Sequence, residues 1–116
     1  MEIPYKGRSI RDNPIIEWEL GAEDVGGSFE CHDIKILSVA FEGAGDVLFR
    51  GGAEVVLEGA IGDKFHILTT PNGSFVSSSM DAIKSVSGRC IKVRPRVLGG
   101  SDETNIKVIL FGRKLR

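Results

Sequence analysis

Residues 53–59 have the sequence Ala53-Glu54-Val55-Val56-Leu57-Glu58-Gly59. Side chains of a β-strand point alternately to its two faces, so this pattern predicts a half-buried strand that ends at the glycine. Val55 and Leu57 are expected to face inward, whereas Glu54, Val56 and Glu58 are expected to face outward.

Patterns of the same kind flank this strand on both sides. One begins at Ile34 and changes phase at Leu37, which predicts a β-bulge, and others occupy residues 90–97 and 105–112. The 15 glycines are roughly twice the average share and bound these runs, which predicts many tight turns. About six or seven strands at this spacing predict an all-β fold, an antiparallel β-sandwich that is jelly-roll-like. The side chains expected to face inward are Trp18, Ile34, Ile36, Val55, Leu57, Phe65, Ile67, Ile91, Val93, Ile106 and Val108.

Two segments depart from the alternating pattern. Residues 79–86 place Met80, Ile83 and Val86 at three-residue spacing, which predicts a one-turn helix or an irregular crossing. Pro95 has no amide proton to donate, so its part of the strand is expected at a sheet edge or a bulge.

The first 14 residues have few large apolar side chains and carry two prolines and several basic residues. They predict an extended N-terminal arm, followed by a single β-sandwich domain over residues 15–116. We expect the arm to be loosely held in the isolated chain and to become ordered against a neighbouring subunit. Its candidate partner-binding residues are Ile3, Pro4, Tyr5, Lys6, Arg8, Ile10 and Arg11.

Length and hydropathy limit the class of protein. The chain has 116 residues, 41% of them apolar, which is enough for one hydrophobic core and too few for two. Its apolar runs are far shorter than the roughly 18 residues of a membrane-spanning helix. The first residues lack the basic and apolar regions of a signal peptide. We therefore expect one soluble domain with no membrane partner.

The charges are nearly balanced, with 15 basic and 16 acidic residues, but they are unevenly placed. Residues 12–33 contain seven acidic and no Lys or Arg side chains, whereas residues 84–116 contain nine basic and two acidic ones. Pairing of these charges within one sheet is the simplest interpretation. Complementarity between subunits, or a basic surface for an anionic partner, is the alternative.

Groups suited to catalysis or metal binding are sparse. His32 and His66 are the only side chains that titrate near neutral pH without perturbation. Neighbouring residues of a strand point to opposite faces, which disfavours a metal site at His32 and Asp33, and alternation places His66 on the outward side of its strand, as expected of a solvated histidine. Cys31 and Cys90 lack the spacing of a zinc or redox motif, so both are expected to be buried thiols. The sequence predicts no catalytic residue, no metal site, no cofactor and no enzymatic activity.

Lys92, Arg94 and Arg96 are expected to project together from one strand. Such a row can contact phosphate, but the pattern places no exposed aromatic side chain beside it, which disfavours nucleic acid as the partner. The row is therefore a candidate site for a protein partner.

The order of motifs over residues 34–114 resembles the small β-sandwich proteins encoded with the head genes of tailed bacteriophages, which include head decoration, or cement, proteins. The most specific pieces are Leu57-Glu58-Gly59 and Arg94-Pro95-Arg96-Val97, the latter followed by Gly99-Gly100-Ser101-Asp102. The chain departs from the usual family pattern at Gly62-Asp63-Lys64-Phe65, where a tryptophan and a longer turn are common, and in residues 1–33. The other matching pieces are Phe65-His66-Ile67-Leu68-Thr69, Pro71-Asn72-Gly73, Ile83-Lys84-Ser85-Val86, Ile106-Lys107-Val108-Ile109-Leu110 and Arg113-Lys114.

The resemblance implies a non-enzymatic virion protein that binds the outer surface of the capsid and stabilises the head. Its implied partners are the phage major capsid protein and further copies of itself, as a homodimer or homotrimer. Its implied location is the capsid exterior, and the host cytoplasm during assembly. The alternative is a carbohydrate- or receptor-binding β-sandwich module of a phage fibre or tail.

Overall fold

Two β-sheets pack face to face in the computed structural model, which describes residues 1–43 and 48–115. Residues 44–47 and 116 of the predicted domain lie outside the described part. The strands are β1 (Glu2–Ile3), β2 (Lys6–Ile10), β3 (Asn13–Leu20), β4 (Val25–Gly26), β5 (Phe29–Glu30), β6 (Ile34–Gly43), β7 (Glu54–Ala60), β8 (His66–Ile67), β9 (Ser77–Ser78), β10 (Ala82–Ser85), β11 (Lys92–Leu98) and β12 (Ile106–Lys114).

Each sheet is built almost entirely from antiparallel pairs. The five-stranded sheet has the order β10-β6-β12-β3-β2. The seven-stranded sheet has the order β1-β4-β11-β7-β8, with β5 also paired to β11 and β9 also paired to β7. Only β1 and β4 run parallel among the strand pairs of the described residues. The all-β sandwich predicted from the sequence is confirmed.

The core lies between the inner faces of the two sheets. Trp18 and Phe41 are its largest fully buried side chains, and Leu57 is buried with them; each of the three is at most 1% exposed. Several other predicted inward residues are buried with them, which follows from the alternation of side chains along each strand. These residues are Ile36, Val55, Val93, Ile106 and Val108.

Some predicted inward residues lie at the margin of the core. Ile34 is half-buried and packs against the core, while Ile67 and Ile91 are half-buried.

Val56 is only 3% exposed although its side chain is on the outer face. Its direct cross-strand neighbours, Arg96 of β11 and Ser77 of β9, flank it on both sides.

The predicted bulge is present at Leu37. Phe111 pairs with Ser38 and Gly112 pairs with Ile36, so β6 has one extra residue between these pairs.

By contrast, the prediction of a helical turn at residues 79–86 is wrong. Residues 82–85 form β10, which pairs with β6. The free backbone groups of the β6 edge are satisfied by this pairing, so tertiary contacts override the weak helical spacing.

Pro95 occupies a gap in the pairing of an internal strand. On one side β11 pairs continuously with β7, and on the other it pairs with β5 as far as Val93 and with β4 again at Arg96. Leu57, opposite Pro95, donates its amide to Val76 on its other side. The backbone nitrogen of Pro95, which carries no proton, therefore faces the gap, and its lack of a donor removes no hydrogen bond between strands.

The first 14 residues are extended, but they pair within the chain. Ile3 of β1 lies beside Gly26 of β4 in the seven-stranded sheet, and β2 forms a hairpin with β3 at the border of the five-stranded sheet. Arg11 and Asp12 close that hairpin with φ of 50° and 67°, the positive values of a tight hairpin turn. The edges of both sheets thus hold the arm, contrary to the expectation that it is loosely held.

Helix is almost absent from the described residues. They contain one short 3-10 turn, Arg50–Gly52, and none of them forms a helix long and apolar enough to cross a membrane.

Candidate partner-binding surfaces

The predicted basic row lies on the outer face of the seven-stranded sheet. Val93, Pro95 and Val97 of β11 are buried on the inner side. Because neighbouring side chains alternate, Lys92, Arg94 and Arg96 project from the opposite face. The structure therefore brings these three candidate residues together on one strand, as the sequence predicted.

Glu58 holds two of the three cations in place. Its Oε1 atom accepts a hydrogen bond from Arg94 Nε at 3.0 Å, and Arg96 Nε lies 3.4 Å from the same oxygen without hydrogen-bond geometry. The Glu58 side chain is 12% exposed and that of Arg94 is 21% exposed. A carboxylate this far from water requires a cationic partner. Glu30 of β5 is the direct cross-strand neighbour of Lys92, so three cations lie beside two carboxylates and the row keeps a net positive charge.

Phe65 supplies the aromatic partner that the sequence did not place. The Arg94 guanidinium carbon is 3.8 Å from the centre of the Phe65 ring, and Lys92 Nζ is 5.9 Å from it. This is cation–π geometry on the outer face, so the prediction that Phe65 faces the core is wrong. The residue precedes the two-residue strand β8, a run too short for alternation to assign its side.

A groove of about 380 Å³ lies beside the row. Gly59 is part of its wall, and a Cβ atom there would come within 2.7 Å of Leu68 Cδ2 and 3.1 Å of Cys90 Sγ. Only glycine permits this close approach. The groove is lined by residues 59–64, His66, Leu68, Arg89 and Cys90.

Cys90 and Cys31 form a pair of free thiols beneath this groove. Their sulfur atoms are 3.8 Å apart, and Cys31 Sγ donates a hydrogen bond to the Cys90 carbonyl oxygen at 3.1 Å. Cys31 is 2% exposed and Cys90 is half-buried. The hydrogen bond to Cys90, together with burial, raises the pKa of the Cys31 thiol, so Cys90 is the more acidic of the two. The spacing in sequence gave no sign of this contact.

The arm residues are divided between the two sheets. Tyr5 packs edge-on against Trp18 and Phe29, with ring centres 5.9 and 5.5 Å apart, and Ile3 packs against the core. Pro4 and Arg11 are exposed. Arg8 pairs with Ile15, placing Lys6, Arg8 and Ile10 at the border of the five-stranded sheet. Lys6, Arg8 and Ile10 therefore lie on the other sheet from the basic row, whereas Ile3 lies in the same sheet, two strands from β11.

The two histidines lie in different surroundings. His32 lies 3.6 Å from Glu30 at the exposed surface, while His66 lines the groove. The part of the chain that the structure describes contains no group of three or more His, Cys, Asp or Glu side chains placed to hold a metal ion.

The geometry defines a class of protein, the antiparallel β-sandwich with charged outer faces. The fold is similar to that of the SPBc2 prophage-derived protein YomS, with a TM-score of 0.59 and 14% identity over 90% of this chain and 98% of that chain. Two cupin domains score lower. The domain from Bordetella pertussis Tohama I has a TM-score of 0.42 at 12% identity over 97% of this chain and 94% of that one. The Cnp3 domain of Schizosaccharomyces pombe has a TM-score of 0.45 at 9% identity over 95% of this chain and 59% of that one.

Comparison of the sequence with models of protein families and with curated proteins gives no match. At 14% identity, the structural likeness to YomS shows the fold alone.

Proposed function

We propose that this chain is a non-enzymatic structural protein of a bacteriophage virion that binds the outer surface of the capsid and stabilises the head. The observation that carries the proposal is the fold shared with a prophage-derived protein over nearly the whole of both chains. The order of motifs from residue 34 to residue 114, which resembles head decoration proteins, supports the same function.

The basic row is the surface that we assign to the major capsid protein. Glu58 and Phe65 already hold Arg94 in one position. Binding therefore immobilises few additional rotamers, which lowers the entropic cost of association. The row suits an acidic patch on the partner, because its three cations outnumber the two carboxylates beside them, Glu30 and Glu58. Repetition over a capsid lattice would convert modest single contacts into strong attachment.

The test uses the phage that carries this gene, with the gene deleted. Heads lacking the protein should release DNA at lower temperature or milder osmotic shock, and added purified protein should restore resistance, because a ligand of the intact lattice stabilises it by mass action. Co-sedimentation with these heads measures binding directly. Unchanged DNA release with and without the protein would contradict head stabilisation.

Variants locate the contact. The double variant Lys92→Ala/Arg96→Ala should bind heads several-fold more weakly, while the matched control Lys84→Ala, on β10 of the other sheet, should bind as the unmodified protein does. Melting curves of both variants serve as the folding control. Binding to tails or fibres in place of heads would favour the carbohydrate- or receptor-binding function.

A further inference from the structure

The outer face of the five-stranded sheet carries an apolar centre. Ile83 pairs with Ala40, which pairs on its other side with Ile109. In the next row along the strands of this face, Phe111 pairs with Ile15. On β3, β6 and β12 the alternate residues fill the core, so these side chains point away from it, and Ile83 lies on the same face as its neighbour Ala40. Ile83 is 78% exposed, which is unusual for a large aliphatic side chain in a strand.

Acidic side chains occupy one end of this face. Glu42 and Glu19 lie on either side of Lys107 in a single row across three strands. Lys107 Nζ is 3.9 Å from Glu17 of the adjacent row. Both Glu42 and Glu19 are exposed, so this end of the face is negative.

Basic side chains occupy the opposite end. Lys35 and Arg113 are directly paired across β6 and β12, and both are exposed. Among the described residues, neither contacts a carboxylate. Like charges directly opposite each other in a sheet are destabilising unless a counter-charge is supplied. From Lys107 to Arg113 the two ends are about 20 Å apart along β12.

We propose that this face binds the same face of a second copy of the chain, forming a symmetric dimer. The twofold axis lies in the plane of the interface and runs across the strands. It therefore sets the acidic end of one copy against the basic end of the other. This axis sets each strand against the same strand of the partner, so Glu42 of each copy lies against Lys35 on β6 of its partner, and Glu19 lies one strand away from Arg113 on β12. Lys107, which faces that Arg113, is paired with Glu17 of its own chain. The apolar side chains pack at the centre. An axis directed along the strands would place like charges together, so complementarity selects the first arrangement.

The dimer is independent of the proposed capsid function, because the basic row lies on the opposite outer face and remains free. Oligomeric state is measured by sedimentation equilibrium of the full chain over a range of protein and salt concentrations. A dimer that weakens with added salt is expected. A monomer at every concentration, or a trimer, would overturn the proposal.

Charge reversal identifies the interface. Glu19→Lys/Glu42→Lys and Lys35→Glu/Arg113→Glu should each weaken the dimer by roughly tenfold or more. A mixture of these two double variants should form heterodimers, because each copy then supplies the charge that the other lacks at both ends. The chain with all four substitutions should again form homodimers.

Controls separate the interface from folding and net charge. Glu54→Lys, on the other sheet, raises the net charge, as Glu19→Lys/Glu42→Lys does, and should leave the dimer unchanged. Each variant is checked by its melting curve. Ile83→Asp should weaken the dimer in a chain that remains folded, since the residue is exposed. Folded double variants that dimerise normally, or fail to form heterodimers when mixed, would overturn this interface.

Discussion

Glu58 of β7 and Arg94 of β11 are directly paired residues, and their side chains form a hydrogen-bonded ion pair of 3.0 Å on the outer face of the seven-stranded sheet. The same carboxylate faces Arg96, and the Arg94 guanidinium stacks on Phe65. One acidic side chain therefore orders two cations of the candidate capsid-binding row.

Replacement of this carboxylate tests its structural role. Glu58→Gln should lower the free energy of unfolding by about 1–3 kcal/mol, because two poorly solvated guanidinium groups lose their counter-charge. Glu54→Gln on the same strand is exposed and should change it by less than about 0.5 kcal/mol. Urea denaturation of both variants gives the comparison. Equal stability of the two would show that solvent compensates the arginines.

Gly26 is constrained by rigid neighbours. A Cβ atom at this position would lie 2.6 Å from Pro95 Cδ and 2.7 Å from Trp18 Cδ1. Gly26→Ala should therefore cost about 1–3 kcal/mol through overpacking. Gly62→Ala is the matched control, since no atom lies within 4 Å of its added methyl group. Thermal unfolding of the two variants should differ by several degrees, and coincident melting curves would contradict the close packing.

Tyr5 fastens the N-terminal arm to the body through Trp18 and Phe29. Tyr5→Ala should lower stability by about 1–2 kcal/mol, because aromatic contacts and buried area are both lost. Ile10→Ala, at a residue that is 50% exposed, should have a smaller effect. Deletion of residues 1–12 should lower the melting temperature further. An unchanged melting temperature after deletion would restore the expectation of a loosely held arm.

Cys31 and Cys90 are close enough to form a disulfide with small local movement. Oxidised glutathione should accept two electrons and two protons from the pair, through attack by Cys90 and resolution by Cys31, and leave an intramolecular disulfide. The closed loop should stabilise the fold by up to about 4 kcal/mol. Mass spectrometry and melting curves measure both effects. Cys31→Ser is the control, and its stability should not rise with oxidant.

The strands with clear alternation were predictable. Residues 53–59 and 106–110 place apolar side chains at every second position, and burial on one face follows from strand geometry alone. The outward direction of Lys92, Arg94 and Arg96 follows from the same alternation. By contrast, residues 79–86 have weak local preferences, so the free edge of β6 decided their conformation.

The sequence by itself determined the all-β class, the bulge at Leu37 and the basic row, because these depend on local periodicity along one strand. Only the tertiary structure decided which strands are neighbours. Glu58 and Arg94 are 36 residues apart, and Cys31 and Cys90 are 59 apart. Their contacts depend on sheet order and register, which arise from the simultaneous burial of both inner faces and from backbone pairing between distant segments.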